Sequence, residues 1–523
     1  AEGELLWVCE FCGRRNVINA DVDELPTAPS VDYIEAAAPV ATTAAGGAGG
    51  TPAAGPDSSL IVYVLDVSGS MCVTTEVEGT VALKGDRTAD MAKLRQAGDG
   101  DQTLPGQKKD VTFVSRLQSV QAAIAQQLSA LKTAYPDRQA ALITFASDVT
   151  IHGDATATPS VIAGDRLQDY EGLVATGSGY ALGSKVESTA DGLTKRVFEL
   201  TEGGQTALGP ALVVAVAMAA RARGSKVVLC TDGLANVGLG SLEAEDGTAE
   251  AFYKRIGDFA AERGVMVDVT GIEGGDCNLE ALSSMPETTG GELQHVNPLS
   301  LTKEFSSILA NPVLATNVTV TCVLHHALQI ANEEGVTGGV LVKDVGNATA
   351  DTTISFEYSQ KPDADVTGLS SLPFQSQLRF TKLDGMRVVR VITHSQEVTD
   401  NREAAEADLV NDVMAQHAAQ QVAGLARRGS YNSSRVAAQA YNRILRRNLR
   451  TEEDHRGYSA WAADVADLDA DLAVEEREEA VMGLDTEHMA SSMRTAVRKQ
   501  RRGKKDKLAS RIHGLAKASK AKY

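Results

Sequence analysis

The chain has 523 residues, enough for about three domains of ordinary size. Hydrophobic residues make up 43% and aromatics only 4%, a globular composition whose core must come from aliphatic side chains. A formal net charge of −19 argues against nucleic acid as a partner of the whole molecule, and no apolar run reaches the ~20 residues that span a bilayer. Glu2 and Glu4 deny the chain the basic start of a secretory leader. Of the six cysteines only Cys9 and Cys12 stand close together, which is reduced-compartment usage and points to the cytoplasm.

Residues 1–20 hold the Cys9–Cys12 pair. A low-complexity linker is expected over 21–57, where residues 36–56 read AAAPVATTAAGGAGGTPAAGP. An α/β domain is expected over 58–310. Leu60–Leu65 is a continuous apolar run suited to a strand buried on both faces. Phe113, Leu117, Val120, Ile124, Leu128 and Leu131 recur at helical spacing. Ala140–Phe145 predicts a strand, with Val149–His152 as its hairpin partner. Val197–Leu200 leads to a helix near Pro210 with Ala211–Ala222 as its body. Lys226–Cys230 and Val265–Ile272 predict strands, Ala251–Glu262, Leu279–Met285 and Leu301–Leu309 helices. Strand and helix in alternation mean a doubly wound, mostly parallel sheet.

The alternation stops at about residue 311. Val318–Leu324, Gly339–Val345, Thr352–Tyr358, Gln377–Phe380 and Val388–Thr393 predict a small β-sandwich over 311–400. Helices follow over 401–493: Ala404–Arg427 stopping at Gly429, then Ser434–Leu449, then Trp461–Val481. The tail, 494–523, has twelve Lys or Arg against one acid and is expected to be frayed and solvated, or to touch an acidic partner surface.

Chemistry concentrates at strand ends. The first strand runs into Asp66-Val67-Ser68-Gly69-Ser70, at the carboxyl edge where open α/β sheets place ligands. Thr206 lies on a glycine-rich loop before a helix, and Asp232 closes the strand Val227–Thr231. Two carboxylates and three hydroxyls form an all-oxygen set suited to a hard cation, Mg²⁺ first, with Mn²⁺ or Ca²⁺ as alternatives. The bland alternative is that these residues only cap turns.

These three loops, in this order, resemble the metal-ion-dependent adhesion site of von Willebrand factor A domains, over roughly residues 58–310. The resemblance implies metal ligation by the hydroxyls of Ser68, Ser70 and Thr206, and by Asp66 and Asp232 directly or through water. It also implies a partner carboxylate completing the shell. Two long loops, Met71–Asp110 and about Asp154–Asp191, depart from the family pattern. Asp86, Asp90, Asp99 and Asp101 in the first are candidate internal ligands, though solvated loop charge is the simpler expectation.

Trp7-Val8-Cys9-Glu10-Phe11-Cys12-Gly13, with Asn16 beyond, has the form of a zinc knuckle supplying two of the four ligands Zn²⁺ needs. The string resembles half of the zinc ribbon of the inner-coat Sec proteins of COPII vesicles, which also carry an α/β trunk, a sandwich and a helical domain. The combination is similar, too, to the C-terminal part of circularly permuted Ras proteins. Hydrolase signatures are missing: there is no G-x-S-x-G and no H-E-x-x-H, and His325-His326 has no partner cluster in sequence.

The expected function is therefore a cytoplasmic scaffold, not an enzyme, that grips a partner's acidic residue through Mg²⁺. The alternative is a coat-like or cytoskeletal component whose metal site is idle.

Overall fold

The computed structural model describes residues 5–19, 25–38, 59–78, 111–243, 247–333, 335–482 and 491–518. It divides into two compact units, Ala1–Ala53 with Val313–Ala480 and Ile512–Tyr523, and Ala54–Pro312 with Val481–Arg511.

The first unit opens with an antiparallel hairpin, β1 (Leu5–Val8) and β2 (Arg15–Ile18), followed by β3 (Ser30–Ala36).

The second unit is the doubly wound α/β domain. Its strands are β4 (Leu60–Asp66), β5 (Thr74–Glu78), β6 (Val111–Ser115), β7 (Gln139–Phe145), β8 (Val149–Gly153), β9 (Ser160–Ile162), β10 (Lys226–Thr231), β11 (Met266–Ile272) and β12 (Leu293–Val296). Seven of them form one sheet in the order β12-β11-β10-β4-β7-β8-β9, parallel from β12 to β7 and antiparallel beyond. The helices are α1 (Arg116–Ala134), α2 (Tyr170–Gly179), α3 (Val186–Phe198), α4 (Leu208–Ala219), α5 (Thr248–Glu262), α6 (Leu279–Leu282), α7 (Ser284–Thr289) and α8 (Leu301–Ala310).

β4 lies at the centre and is wholly buried. Because strand side chains alternate, Leu60, Val62 and Val64 enter the core shared with α4 and α5. Ile61, Tyr63 and Leu65 enter the opposite core, with α1, α3 and Phe305 of α8. A strand of this kind has no polar face, which is why its sequence is an unbroken apolar run.

The structure departs from several of the sequence expectations. Phe113 belongs not to a helix but to β6, which pairs with β5 as a ribbon; the helix begins at Arg116 behind a Ser115–Gln118 capping box. The loop expected over Asp154–Asp191 folds as β9, α2 and most of the first turns of α3. Helix α2 (YEGLVATGSG) has too few large apolar residues to display a period. It packs through its glycine instead: a Cβ on Gly177 would lie 2.3 Å from the Val214 carbonyl oxygen of α4. Val197 sits within α3 rather than in a connecting segment. Asp86, Asp90, Asp99 and Asp101 lie outside the described residues.

The first unit continues with β13 (Ala315–Leu324), β14 (Leu328–Ala331), β15 (Val340–Ala348), β16 (Glu357–Gln360), β17 (Ser371–Thr381) and β18 (Arg387–Glu397). A five-stranded antiparallel sheet runs β15-β13-β17-β18-β3, with β14 and β16 as a separate ribbon. β3 thus takes part of the expected linker into the sheet, held by the Asp32–Arg390 ion pair at 2.7 Å. Its helices are α9 (Arg402–Ala407), α10 (Asn411–Arg427), α11 (Tyr431–Arg447) and α12 (Glu452–Met482). The predicted helix Ala404–Arg427 is broken in two by residues 408–410, and Gly429 ends α10 with φ 72°.

The basic tail is also corrected. It forms α13 (Ser491–Ala516), and its residues up to Arg511 belong to the second unit. Its one acid, Asp506, is buried and binds the amides of Cys277 and Leu279, while Ser510 Oγ accepts the His295 amide at 2.9 Å. A charge count could not reveal a helix anchored by its single carboxylate.

Candidate metal centre

All five oxygen-bearing residues expected at the site come from the carboxyl ends of adjacent strands or the loop preceding α4. β4 delivers Asp66 at its last position, and β10 ends one residue before Asp232. The Asp66-to-Ser70 loop is tied to the Thr206 loop by two backbone bonds, Gly69 N–H to Gly204 O at 3.1 Å and Gly203 N–H to Val67 O at 2.8 Å.

Asp66 is fully buried. Its Oδ1 accepts the Ser68 amide at 2.8 Å and its Oδ2 accepts the Thr231 hydroxyl at 2.6 Å. Burial, with a contribution from the charge of Asp232, pushes its carboxyl up to about 6 against the opposing bonds from Ser68 and Thr231. The Ser68 and Ser70 hydroxyl oxygens lie 3.0 Å apart, and Ser70 Oγ donates to Asp232 Oδ1 at 2.6 Å.

Gly233 marks the centre of the constellation. A Cβ there would lie 3.2 Å from Ser70 Oγ, 3.6 Å from Thr206 Oγ1 and 3.9 Å from Asp66 Oδ2. Hydroxyl and carboxylate oxygens of the Asp66-to-Ser70 and Thr206 loops therefore lie around Gly233 on the third loop, and the Ser70 hydroxyl links them to Asp232. Gly69 is exposed and Ser70 and Gly233 are half-buried, while Asp66, Ser68, Thr206 and Asp232 are buried. An all-oxygen, hydroxyl-rich donor set of this kind fits a hard divalent cation. Cys230, one residue before Thr231, takes no part; burial pushes its thiol well up and keeps it inert.

Three residues that sequence reasoning missed complete the arrangement. Thr231 orients Asp66, as described. Asn236 clamps the Thr206 loop by a reciprocal pair, its Oδ1 accepting the Thr206 amide at 2.9 Å and its own amide donating to Thr206 O at 3.0 Å. Arg116, the first residue of α1, places Nη1 at 2.5 Å from Asp232 Oδ2 and at 3.5 Å from Ser70 O. Both ends of that ion pair are almost fully buried. Nothing in the local sequence signals Arg116, because its partner is more than a hundred positions away.

Around the other sequence-predicted pair, Cys9 and Cys12, the chain makes a tight turn in which Gly13 N–H donates to Cys9 O at 2.7 Å and Gly13 has φ 68°. Desolvation raises the Cys9 thiol, but amides of Cys12 and Phe11 aimed at the sulfur outweigh it and hold it below its ordinary value. Among the described residues no group of three or more His, Cys, Asp or Glu is set to hold a metal. No helix among the described residues is long and apolar enough to cross a membrane.

No protein-family model matches the chain. It is 30% identical over 454 residues to circularly permutated Ras protein 1 of Dictyostelium discoideum, over 86% of this chain and 51% of that protein. The chain therefore spans about half the length of the curated relative it matches. Among solved structures, the human COPII-coat protein Sec24c superposes on 89% of this chain and 63% of its own with a TM-score of 0.52 at 12% identity, a likeness of fold. A von Willebrand factor type A protein from Catenulispora acidiphila covers 74% of this chain and 81% of its own, with a TM-score of 0.38 at 14% identity.

Proposed function

We propose that this chain is a metal-ion-dependent protein-binding module of the cytoplasm, and not an enzyme. The observation that carries the reading is the convergence of Asp66, Ser70 and Thr206 oxygens around Gly233, beside the exposed Gly69. Ser68, Ser70 and Thr206 would hold a divalent cation, Mg²⁺ in the first place, with Asp66 and Asp232 bound directly or through water. Bound there, the cation supplies an electrophilic centre for an exposed Asp or Glu of a protein partner. Neutral hydroxyls among the ligands leave that centre underneutralised, which favours an incoming carboxylate.

The chain's own groups do the positioning. Thr231 and the Ser68 amide fix the Asp66 carboxylate, and Asn236 fixes the loop bearing Thr206. Ser70 and Thr231 donate their hydroxyl protons to the two carboxylates that would serve the ion, an arrangement that favours binding over hydrolysis. The Arg116–Asp232 pair favours a second reading, a coat-like or cytoskeletal scaffold with an idle metal site, because it supplies a positive charge without a metal. Zn²⁺ at Cys9 and Cys12 would need two further ligands.

The deciding experiment is thermal unfolding of wild type and Asp66→Ala in Mg²⁺, Mn²⁺ or chelator, followed by partner capture in Mg²⁺ with chelator elution. A metal-dependent rise in wild type alone, with captured protein released by chelator, supports the module. Metal-independent unfolding and chelator-resistant capture would move the conclusion to the scaffold.

A further inference from the structure

Arg116 is unlike its neighbours in the centre. The other polar groups there are oxygens that a cation can use, whereas the guanidinium is a cation already in place. It is 5% exposed and is held from three sides. Its Nη1 bonds Asp232 Oδ2 at 2.5 Å and approaches Ser70 O at 3.5 Å, and its backbone amide donates to Val73 O at 3.1 Å. Its Nη2 lies so close to the following loop that a Cβ on Gly274, a residue with φ 83°, would come within 2.7 Å of it. The α1 terminus carries it there: Ser115 and Gln118 cap the helix reciprocally, fixing the direction in which the first residue leaves the backbone.

We propose that Arg116 is the residue that sets the cation affinity of this centre, acting as an internal counter-ion that the metal must work against. The inference rests on the metal-binding reading above. With both carboxylates ionised, Asp66 and Asp232 offer two negative charges and Arg116 cancels one. Both carboxylates are buried, where charges interact far more strongly than in water. The incoming ion therefore meets half the net negative charge of the same oxygen set without arginine. Arg116 also occupies Asp232 Oδ2, so an ion that uses this oxygen competes with the guanidinium for it. Metal then binds only where its concentration, or a partner's carboxylate arriving with it, overcomes the arginine. Arg116 is a positioning and affinity-setting residue. It is already engaged by Asp232 and so does not itself receive the partner.

The test is calorimetric titration of the whole chain with Mn²⁺ and with Mg²⁺, using wild type, Arg116→Gln and Asp66→Ala. Glutamine keeps an N–H for Asp232 and removes the charge. The expected result is an Mn²⁺ dissociation constant at least tenfold lower in Arg116→Gln than in wild type, with Asp66→Ala binding neither ion. Binding by Arg116→Gln where wild type shows none would support the inference equally. Should the glutamine variant fail to fold, Arg116→Met, which likewise removes the charge, must move affinity in the same direction. Equal or weaker binding in the substituted protein overturns the role of Arg116 while leaving the metal reading standing. If no protein binds either ion and Asp66→Ala is indistinguishable from wild type, the metal reading falls with it.

Discussion

Asp506, the lone acid of a basic helix, accepts the amide of Leu279 at 2.6 Å, and its other oxygen accepts the amide of Cys277 at 2.9 Å. The two amides flank Asn278, which has φ 49°, at the start of α6. A left-handed residue there turns consecutive N–H groups toward one point, and the carboxylate fills it. Arg502 and Lys505 add ion pairs to Asp276 and Glu280 at 3.3 and 3.9 Å. Those two pairs are partly exposed and contribute little; the buried carboxylate is the anchor.

Asp506→Ala should consequently destabilise the α/β unit by about 2–3 kcal/mol, since two buried amides lose their acceptor. A lowered urea midpoint at unchanged slope would bear this out. An unchanged midpoint would mean that the helix end contributes nothing to the unit.

Two buried groups give this unit opposing pH dependences. Burial pushes Asp506 up to about 6 from 3.8, with Asp276 adding to the effect against the amide bonds. Between those values the folded protein holds a proton that the unfolded chain lacks, so this group makes stability rise as pH falls from 6 to 4. His152, bonded through Nε2 to the Thr144 hydroxyl at 3.0 Å, is lowered by burial, and further by Arg196, from 6.5 to about 4. There the unfolded chain holds the extra proton, and stability is lost as pH falls through the same window. Each slope is worth on the order of 3 kcal/mol when complete. Melting between pH 7 and 4 should therefore show a steeper acid loss in Asp506→Asn than in wild type, and a shallower one in His152→Gln. Parallel curves for all three proteins would exclude the assignment.

Asn236→Ala removes the side chain that holds the Thr206 amide. The expected cost is ~1 kcal/mol in stability but roughly 10–100-fold in cation affinity, as for other residues that orient ligands without touching the ion. Calorimetry with Mn²⁺ beside a denaturation curve separates the two. Equal loss of both would make Asn236 a purely structural residue.

Two glycines provide a contrast between filling the cradle and breaking it. Gly233→Ala places a methyl 3.2 Å from Ser70 Oγ, a contact relieved by a small shift. Metal-dependent stabilisation should vanish while metal-free stability changes by less than about 1 kcal/mol. A Cβ on Gly275 would stand 1.8 Å from the Asp232 carbonyl oxygen, which is backbone and cannot give way cheaply. Gly275→Ala should cost about 1–3 kcal/mol even in chelator. Should Gly233→Ala retain full metal stabilisation, the ion does not sit where the oxygens converge.

The α/β alternation, the central strand and the Asp66, Ser68, Ser70, Thr206 and Asp232 oxygens were all legible in sequence, because each is a local signal. An apolar run like Leu60–Leu65 declares its own burial, and strand-end motifs declare the edge of the sheet. Helix α2 was not legible, since its contact surface is a glycine pressed on a backbone carbonyl and leaves no apolar period. Strand β3 was missed because charged and small residues flank its few apolar ones, and its pairing partner, β18, lies some 350 positions on.

Sequence alone thus determined the α/β alternation, the central strand and which oxygens stand at its end, because backbone propensity and hydrophobic period act over a few residues. Only the tertiary structure decided what those groups meet. Arg116 beside Asp232, Asn236 against Thr206 and Asp506 in the Cys277–Leu279 turn are pairings across distances in the chain over which no local pattern persists. Their energies come from burial and mutual geometry, quantities that exist only once the chain has folded.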